Sequence, residues 1–290
     1  MPPKRIYWVG GSKFADGYVH ERPVHALLRE AGIEVVLHVW NRDPMPTLGP
    51  GEHLIIRTPW DYVENFAKFE KWMSELPKSQ VHNPAAILRW NADKSYLREL
   101  EWGGVRIVPT IWLNSNSEEE IIQTVREAFP NRRKIVKPVR SHSSIDTFRL
   151  GVDEGPPLGV FMGRPAMIQA YLSEIENDGE RSLIFFDGKF SHAIRKRPQL
   201  GDFRVQESHG GLFSAIDVSP EELRFGDQVI SAVRTRFPKD SMPLYGRIDY
   251  VLVDGRPHLM EAELLEPDLY FHHAPGAAER FARVLIDVLN

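Results

Sequence analysis

Apolar and polar positions change their period several times along this chain, and each change predicts an element. Residues 6–9 form a short apolar run that stops at Gly10-Gly11. Within 22–31, Val24, Leu27 and Leu28 fall on one helical face, and Gly32 supplies the stop. The runs 33–40 and 53–57 read as strands, so this stretch predicts a small parallel α/β unit. A second alternating unit follows: a helix opening near Asp93 and ending at Gly103-Gly104, a strand at 105–109, a helix at 118–129 and a strand at 134–137. The run 166–172 is an apolar strand containing Gln169. Runs 180–186 and 189–194 flank Asp187-Gly188 as a hairpin. Residues 219–237 read as a helix with Ser219 and Glu222 in capping-box positions. A second hairpin follows around Asp254-Gly255, and a closing helix is predicted over 274–289.

Composition narrows the class. At 290 residues with 42% hydrophobic residues the chain can bury a large core in one to three units. The formal net charge is −4, which disfavours a nucleic-acid partner. There are no cysteines, so disulfides, thiolate metal sites and a Cys nucleophile are all excluded. No run is long and apolar enough for a signal segment or a membrane span, so we expect a cytoplasmic protein without a membrane partner. Gly10-Gly11 lacks the G-x-G-x-x-G pattern of a dinucleotide loop.

Candidate chemistry concentrates in the second hairpin. Residues two apart on a strand share a face, so Glu261 and Glu263 point the same way, and Asp249 faces them from the partner strand. Close carboxylates repel by about 4 kcal/mol per pair at an effective dielectric near 20. A cation filling the cluster would relieve this, and oxygen-only ligation suits Mg²⁺ or Mn²⁺. The alternative is a solvated acidic edge. Lys137, ending its strand before Pro138 and the turn Ser141-His142-Ser143-Ser144, marks a phosphate site. After the third strand come Arg57, Trp60 and Asp61, at the strand ends where such sheets place ligands. Arg57 would hold a carboxylate and Asp61 an amine; alternatively Asp61 caps a helix over 63–75 and Trp60 fills core. The segment 195–213 is long, charged and Gly-punctuated, and reads either as a cover over an anion or as a solvated loop.

The ordered set Asp93-Lys94, Val136-Lys137-Pro138, Gln169-Ala170-Tyr171-Leu172, Gly179-Glu180, Gly201-Asp202-Phe203-Arg204, Arg247-x-Asp249 and Glu261-x-Glu263 resembles the ATP-grasp superfamily. The likeness is to its carboxylate–amine ligases, similar to ribosomal-protein glutamate ligase and glutathione synthetase, and runs from about residue 90 to the end. Arg57 to Tyr62, Asn91-x-Asp93-Lys94, Gly201-Asp202-Phe203-Arg204 and Glu263 to Asp268 resemble the subgroup containing D-cycloserine synthetase. The resemblance implies an α/β fold, α+β in its C-terminal part. It divides the chain into a Rossmann-like pre-ATP-grasp domain (1–85), a central subdomain (86–165) and a C-terminal subdomain with the metal and nucleotide site (166–290).

It also implies roles. Lys94, Lys137, Ser143 and Ser144 would contact ATP phosphates. Gln169, Ala170, Tyr171 and Leu172 would form the hinge pairing with adenine, and Glu180 would hold ribose. Lys196, Arg204 and Arg247 would neutralise the transferred phosphoryl, and Asp249, Glu261 and Glu263 would carry Mg²⁺. Arg57, Trp60, Asp61, His209 and Gly210 would meet a small carboxylate substrate. His209 is read either as a base or as a loop anchor. The implied reaction is acyl-phosphate formation followed by attack of an amine, between molecules or within one to close a ring. A kinase on the same scaffold, or a non-catalytic nucleotide binder, is the alternative. A homodimer is compatible with the likeness. Two departures stand out: the family usually has Glu-x-Asn where this chain has Glu261-Ala262-Glu263, and glycines where it has Ser141-His142-Ser143-Ser144.

Overall fold

The structure is a computed structural model that describes residues 4–141, 145–199, 205, 210–238 and 242–289. Three sheets follow one another along the chain. The first is built from β1 (Arg5–Gly10), α1 (Arg22–Glu30), β2 (Glu34–Val39), β3 (Glu52–Thr58), α2 (Phe66–Ser74) and β4 (Val81–His82). Its strand order is β2-β1-β3-β4, all parallel. The strand–helix–strand reading of the sequence matches this unit. Helix α2 begins later than expected: a 3₁₀ turn, Tyr62–Asn65, precedes it, and Asn65 rather than Asp61 caps it, accepting from Lys68 N.

Helices α3 (Ala85–Asn91) and α4 (Tyr96–Trp102) lead to the second sheet. That sheet comprises β5 (Thr110–Leu113), β6 (Lys134–Pro138), β7 (Phe148–Leu150) and β8 (Ala166–Ala170), with α5 (Glu118–Glu127) packed against it. The order is β5-β8-β6-β7. Two expectations shift here. The strand expected at 105–109 is only a bridge at Ile107, and the ladder starts at Thr110. Strand β8 is hydrogen-bonded into this sheet, so the second layer extends past 165.

After α6 (Glu174–Asn177), the third sheet uses β9 (Glu180–Phe186), β10 (Lys189–Arg197), β11 (Leu212–Ala215), β12 (Tyr245–Val253) and β13 (Arg256–Glu263). Helix α7 (Pro220–Arg236) covers one face, and its N-terminus carries the capping box read from sequence. Asp254 and Gly255 both have positive φ, 49° and 74°, which is the primed turn that Asp-Gly favours. Helix α8 (Ala277–Val288) closes the chain against the first unit: Phe281 shares a core with Trp8 and Leu28 of that unit and Ile184 of the third sheet. Among the described residues, no helix is long and apolar enough to cross a membrane.

Buried asparagines lock the units together. Asn83 donates to Tyr245 O (2.8 Å) and Leu264 O (2.7 Å), and accepts from Leu244 N (2.6 Å) and Tyr245 N (3.2 Å). Its amide is fully satisfied in a dry environment, where a lost partner carries the whole desolvation penalty. Asn83→Ala is expected to lower the unfolding free energy by about 3–5 kcal/mol in urea titration. A change under about 1 kcal/mol would show that water replaces these bonds.

Candidate active site

Where the three sheets meet lies a cavity of about 440 Å³. Alternation on β6 explains one wall. Lys134 and Val136 face inward, and the Lys134 ammonium donates to Val125 O (2.9 Å), Arg126 O (3.1 Å) and Val152 O (3.0 Å). It thus satisfies carbonyls at the end of α5. Ile135 and Lys137 sit on the other face and line the cavity. Two lysines on one strand therefore do different work. Lys137 makes no ion pair among the described residues, and burial pushes its pKa down.

The hairpin supplies the opposite wall. Asp249 stands across from Glu261, and Arg247 across from Glu263. Arg247 is the hub. Its Nη2 lies 2.9 Å from Asp249 Oδ2 and also contacts Glu263 Oε1, its Nη1 donates to Asp268 O (3.0 Å), and its guanidinium sits 5.1 Å from the Tyr270 ring centre. Lys196 pairs with Glu180 and, at 3.2 Å, with Asp249. Lys94 pairs with Glu261 at 2.8 Å and donates to Ser141 O. Burial opposes ionisation of Asp249, yet Arg247 and Lys196 hold its carboxyl down at about 2. Burial, with Glu261 and Asp249 adding to it, pushes Glu263 up to about 8 despite Arg247.

Glu263 is where the family usually has Asn, and a pH test follows. A carboxyl raised from 4.5 to about 8 prefers to be neutral in the fold, so its contribution weakens as pH rises through that window. Without added metal, wild type should lose melting temperature between pH 4.5 and 8 relative to Glu263→Asn. Parallel curves would contradict the assignment.

The other end of the cavity is apolar, with Val108, Ile135, Leu172, Ile175 and Met260 beside Gln169. A flat base fits such a slot. The hinge expectation needs amendment: Ala170 N is given to Pro109 O (3.2 Å) and Tyr171 N to Arg133 O (2.9 Å). Those two amides are spent on the fold; Gln169, Ala170, Tyr171 and Leu172 nevertheless all line the cavity.

Several sequence candidates fall elsewhere. Arg57 does not line the cavity; it is fully buried, paired with Glu21 at 2.9 Å and packed over Tyr245 at 4.5 Å. Asp61 is also absent from the lining, because its carboxylate accepts from Trp40 Nε1 (2.7 Å), Ser12 N (2.9 Å) and Asn41 Nδ2 (3.1 Å). A Cβ on Gly11 would come within 2.3 Å of that carboxylate, which is why glycine is needed there. Gly210 is exposed and outside the lining. Trp60 does line it. Lys196, read as part of a covering loop, belongs to strand β10. Ser143, Ser144, Arg204 and His209 lie outside the described residues. Lining residues to which no role was assigned from sequence include Tyr18, Glu266, Asp268 and Tyr270.

The metal expectation changes in form. Asp249, Glu261 and Glu263 line one cavity, but no three acids or histidines among the described residues form a ready-made metal cluster. Each carboxylate is instead held by a protein cation, as expected of closely placed charges in a low dielectric. The donor set still suits a hard divalent cation. Six carboxyls line the cavity against Lys94, Lys137, Lys196 and Arg247, and a triphosphate would add further negative charge.

Comparison with known proteins agrees with this geometry. Residues 6–83 match the family described as D-cycloserine synthetase DcsG, N-terminal domain, and residues 105–237 match the prokaryotic glutathione synthetase ATP-grasp domain. The chain thus carries an ATP-grasp domain and is an ATP-dependent carbon–nitrogen ligase. Within that class it is a homologue of D-cycloserine synthetase. The cycloserine biosynthesis protein DcsG of Streptomyces lavendulae is 29% identical over 252 residues, covering 82% of this chain and 84% of that protein. The crystal structure of D-cycloserine synthetase DcsG superposes with a TM-score of 0.85 at 25% identity, covering 99% of this chain and 100% of the other. The ATP-grasp ligase PsnB, solved with minimal precursor, Mg and ADP, shares the fold at a TM-score of 0.64 and 17% identity, covering 97% and 96% of the two chains.

Proposed function

We propose that this enzyme uses ATP with Mg²⁺ to activate a small amino-acid-like carboxylate as an acyl phosphate. An amine-type nucleophile then attacks. A carboxylate oxygen takes the γ-phosphoryl and ADP leaves; the nucleophile attacks the acyl carbon, loses its proton and expels phosphate. Carried out within one molecule, as the name of the synthetase homologue suggests, the second step closes a ring and places the enzyme in antibiotic biosynthesis.

The observation that carries this reading is the convergence of Lys94, Lys137, Lys196 and Arg247 on one cavity with an apolar slot at its other end. Phosphoryl transfer depends mostly on positioning and charge neutralisation, and cations fixed on the walls of one cleft provide both. Arg247, anchored on Asp249 and Glu263, is pre-set to bind oxyanions without reorganising. Lys137 is the ammonium least committed to the protein. Asp249, Glu261 and Glu263 would hold Mg²⁺, which would shield the phosphates from these carboxylates.

A screen of amino-acid-like acids with ATP and Mg²⁺ should give acid-dependent release of ADP and phosphate. AMP with pyrophosphate would overturn the reading in favour of adenylation.

A further inference from the structure

Tyr270 is the exception among the eight tyrosines of the chain. A buried phenol normally finds a hydrogen-bond partner, because an unanswered hydroxyl in a dry setting costs stability. Tyr245 donates to Ile56 O, Tyr250 to Glu222 and Tyr18 to Asp268 at 3.1 Å, and Tyr96 accepts from Ala262 N at 2.8 Å. Tyr7, Tyr62 and Tyr171 also have partners. The Tyr270 hydroxyl has no protein partner among the described residues, although the residue is only 6% exposed. Tyr270 lines the cavity, which is where a partner can enter.

Several bonds fix this placement. Just before it, Asp268 O accepts from Arg247 (3.0 Å) and Leu269 O from His192 Nε2 (2.9 Å). Tyr270 N–H donates to Asp268 Oδ1 (2.9 Å), and Tyr270 O accepts from His273 N (3.0 Å). The backbone is left-handed there, φ 51°. Non-glycine residues hold that conformation where the surroundings over-determine it, and such residues cluster at active sites. The ring lies beside two cations: the Arg247 guanidinium is 5.1 Å and the Lys196 ammonium 6.0 Å from its centre. Phe213 packs against it with ring centres 5.4 Å apart. Burial pushes the phenol pKa up against the pull of Arg247 and Lys196, so the hydroxyl keeps its proton and serves as a donor.

We propose that Tyr270 is a further catalytic residue, whose hydroxyl donates a hydrogen bond to an oxygen of the phosphoryl group as it passes from ATP to the carboxylate. The inference rests on the ligase reading and adds a residue to its machinery. In that step the bond from the γ-phosphorus to the bridging oxygen of ADP breaks and a bond to a carboxylate oxygen forms. Tyr270 keeps its proton throughout. Arg247 and Lys196 supply charge, and the phenol supplies a directed, neutral donor. A donor fixed in place before charge develops stabilises the transition state without reorganising.

The test needs no acid substrate. Fluoroaluminate bound with ADP and Mg²⁺ imitates the phosphoryl group in transit, and calorimetry gives the ADP affinity with and without it. In the wild type, fluoroaluminate should tighten ADP binding by about tenfold or more. Tyr270→Phe keeps the ring, and with it the contacts to Arg247 and Lys196. It should erase most of that gain while leaving the melting temperature, and ADP affinity without fluoroaluminate, unchanged. A gain that survives in Tyr270→Phe, an equal loss of ADP affinity without fluoroaluminate, or no gain in the wild type would overturn the inference. Acid-dependent release of ADP and phosphate by the wild type, measured separately, would show whether the ligase reading still stands.

Discussion

Arg247→Met is expected to abolish nearly all turnover and to destabilise the fold together. The guanidinium is buried and answers Asp249, Glu263 and the carbonyl of Asp268 at once. Removing it leaves the Asp249 carboxylate with only Lys196 beside it and takes away the cation that Glu263 contacts. Breaking a buried pair in this way typically costs about 3–5 kcal/mol. Loss of a pre-set oxyanion partner lowers kcat by about 10²–10³ or more. Arg247→Lys restores charge but not the forked geometry, so it should recover much of the stability and little of the rate. Denaturant titration and ADP release on the same preparations check both. A variant that is destabilised yet fully active per folded molecule would make Arg247 a structural residue only.

Lys137→Met is expected to behave oppositely on stability. Its ammonium sits in a buried wall, with its charge disfavoured by burial and no carboxylate partner among the described residues. Replacing an unpaired buried charge by an apolar side chain of similar length is neutral or stabilising. The melting temperature without nucleotide should therefore hold or rise. Activity should fall by about 10²–10³, with most of the loss in kcat/KM for ATP, because the lost partner is a phosphate. Lys94→Met is the control: Lys94 is tied to Glu261 and Ser141 O, so its loss should lower stability and rate together. A large drop in stability for Lys137→Met would mean that the lysine is a fold element.

These two residues also show what a linear sequence discloses. Local periodicity places Glu261 and Glu263 on one face and Asp249 opposite, because a strand repeats every two residues and Asp-Gly sets the turn. It also puts Lys137 at a strand end before a serine-rich turn. It sets Lys134 and Lys137 on opposite faces but does not say which of them meets the cavity, since the carbonyls that engage Lys134 come from a helix and a loop on another layer. Arg57 illustrates the same limit. Its partners, Glu21 and Pro267, lie 36 and 210 residues away, and they turn a ligand-like arginine into a tie between units. Asp61 looked like a cap or an amine receptor, but three distant donors occupy it. The carbonyls of Leu264, Glu266, Pro267, Asp268 and Leu269 have no local signature, because their donors, Asn83, Trp60, Arg57, Arg247 and His192, reach them from elsewhere in the chain.

The acyl phosphate is the intermediate on which the proposed chemistry turns, and oxygen-18 tracks it. An acid that triggers ADP release, labelled in its carboxylate, is incubated with enzyme, ATP, Mg²⁺ and the nucleophile. Phosphate released in step with product should carry one label oxygen from the carboxylate. Unlabelled phosphate, or label recovered in AMP, would contradict activation by phosphoryl transfer in this cavity.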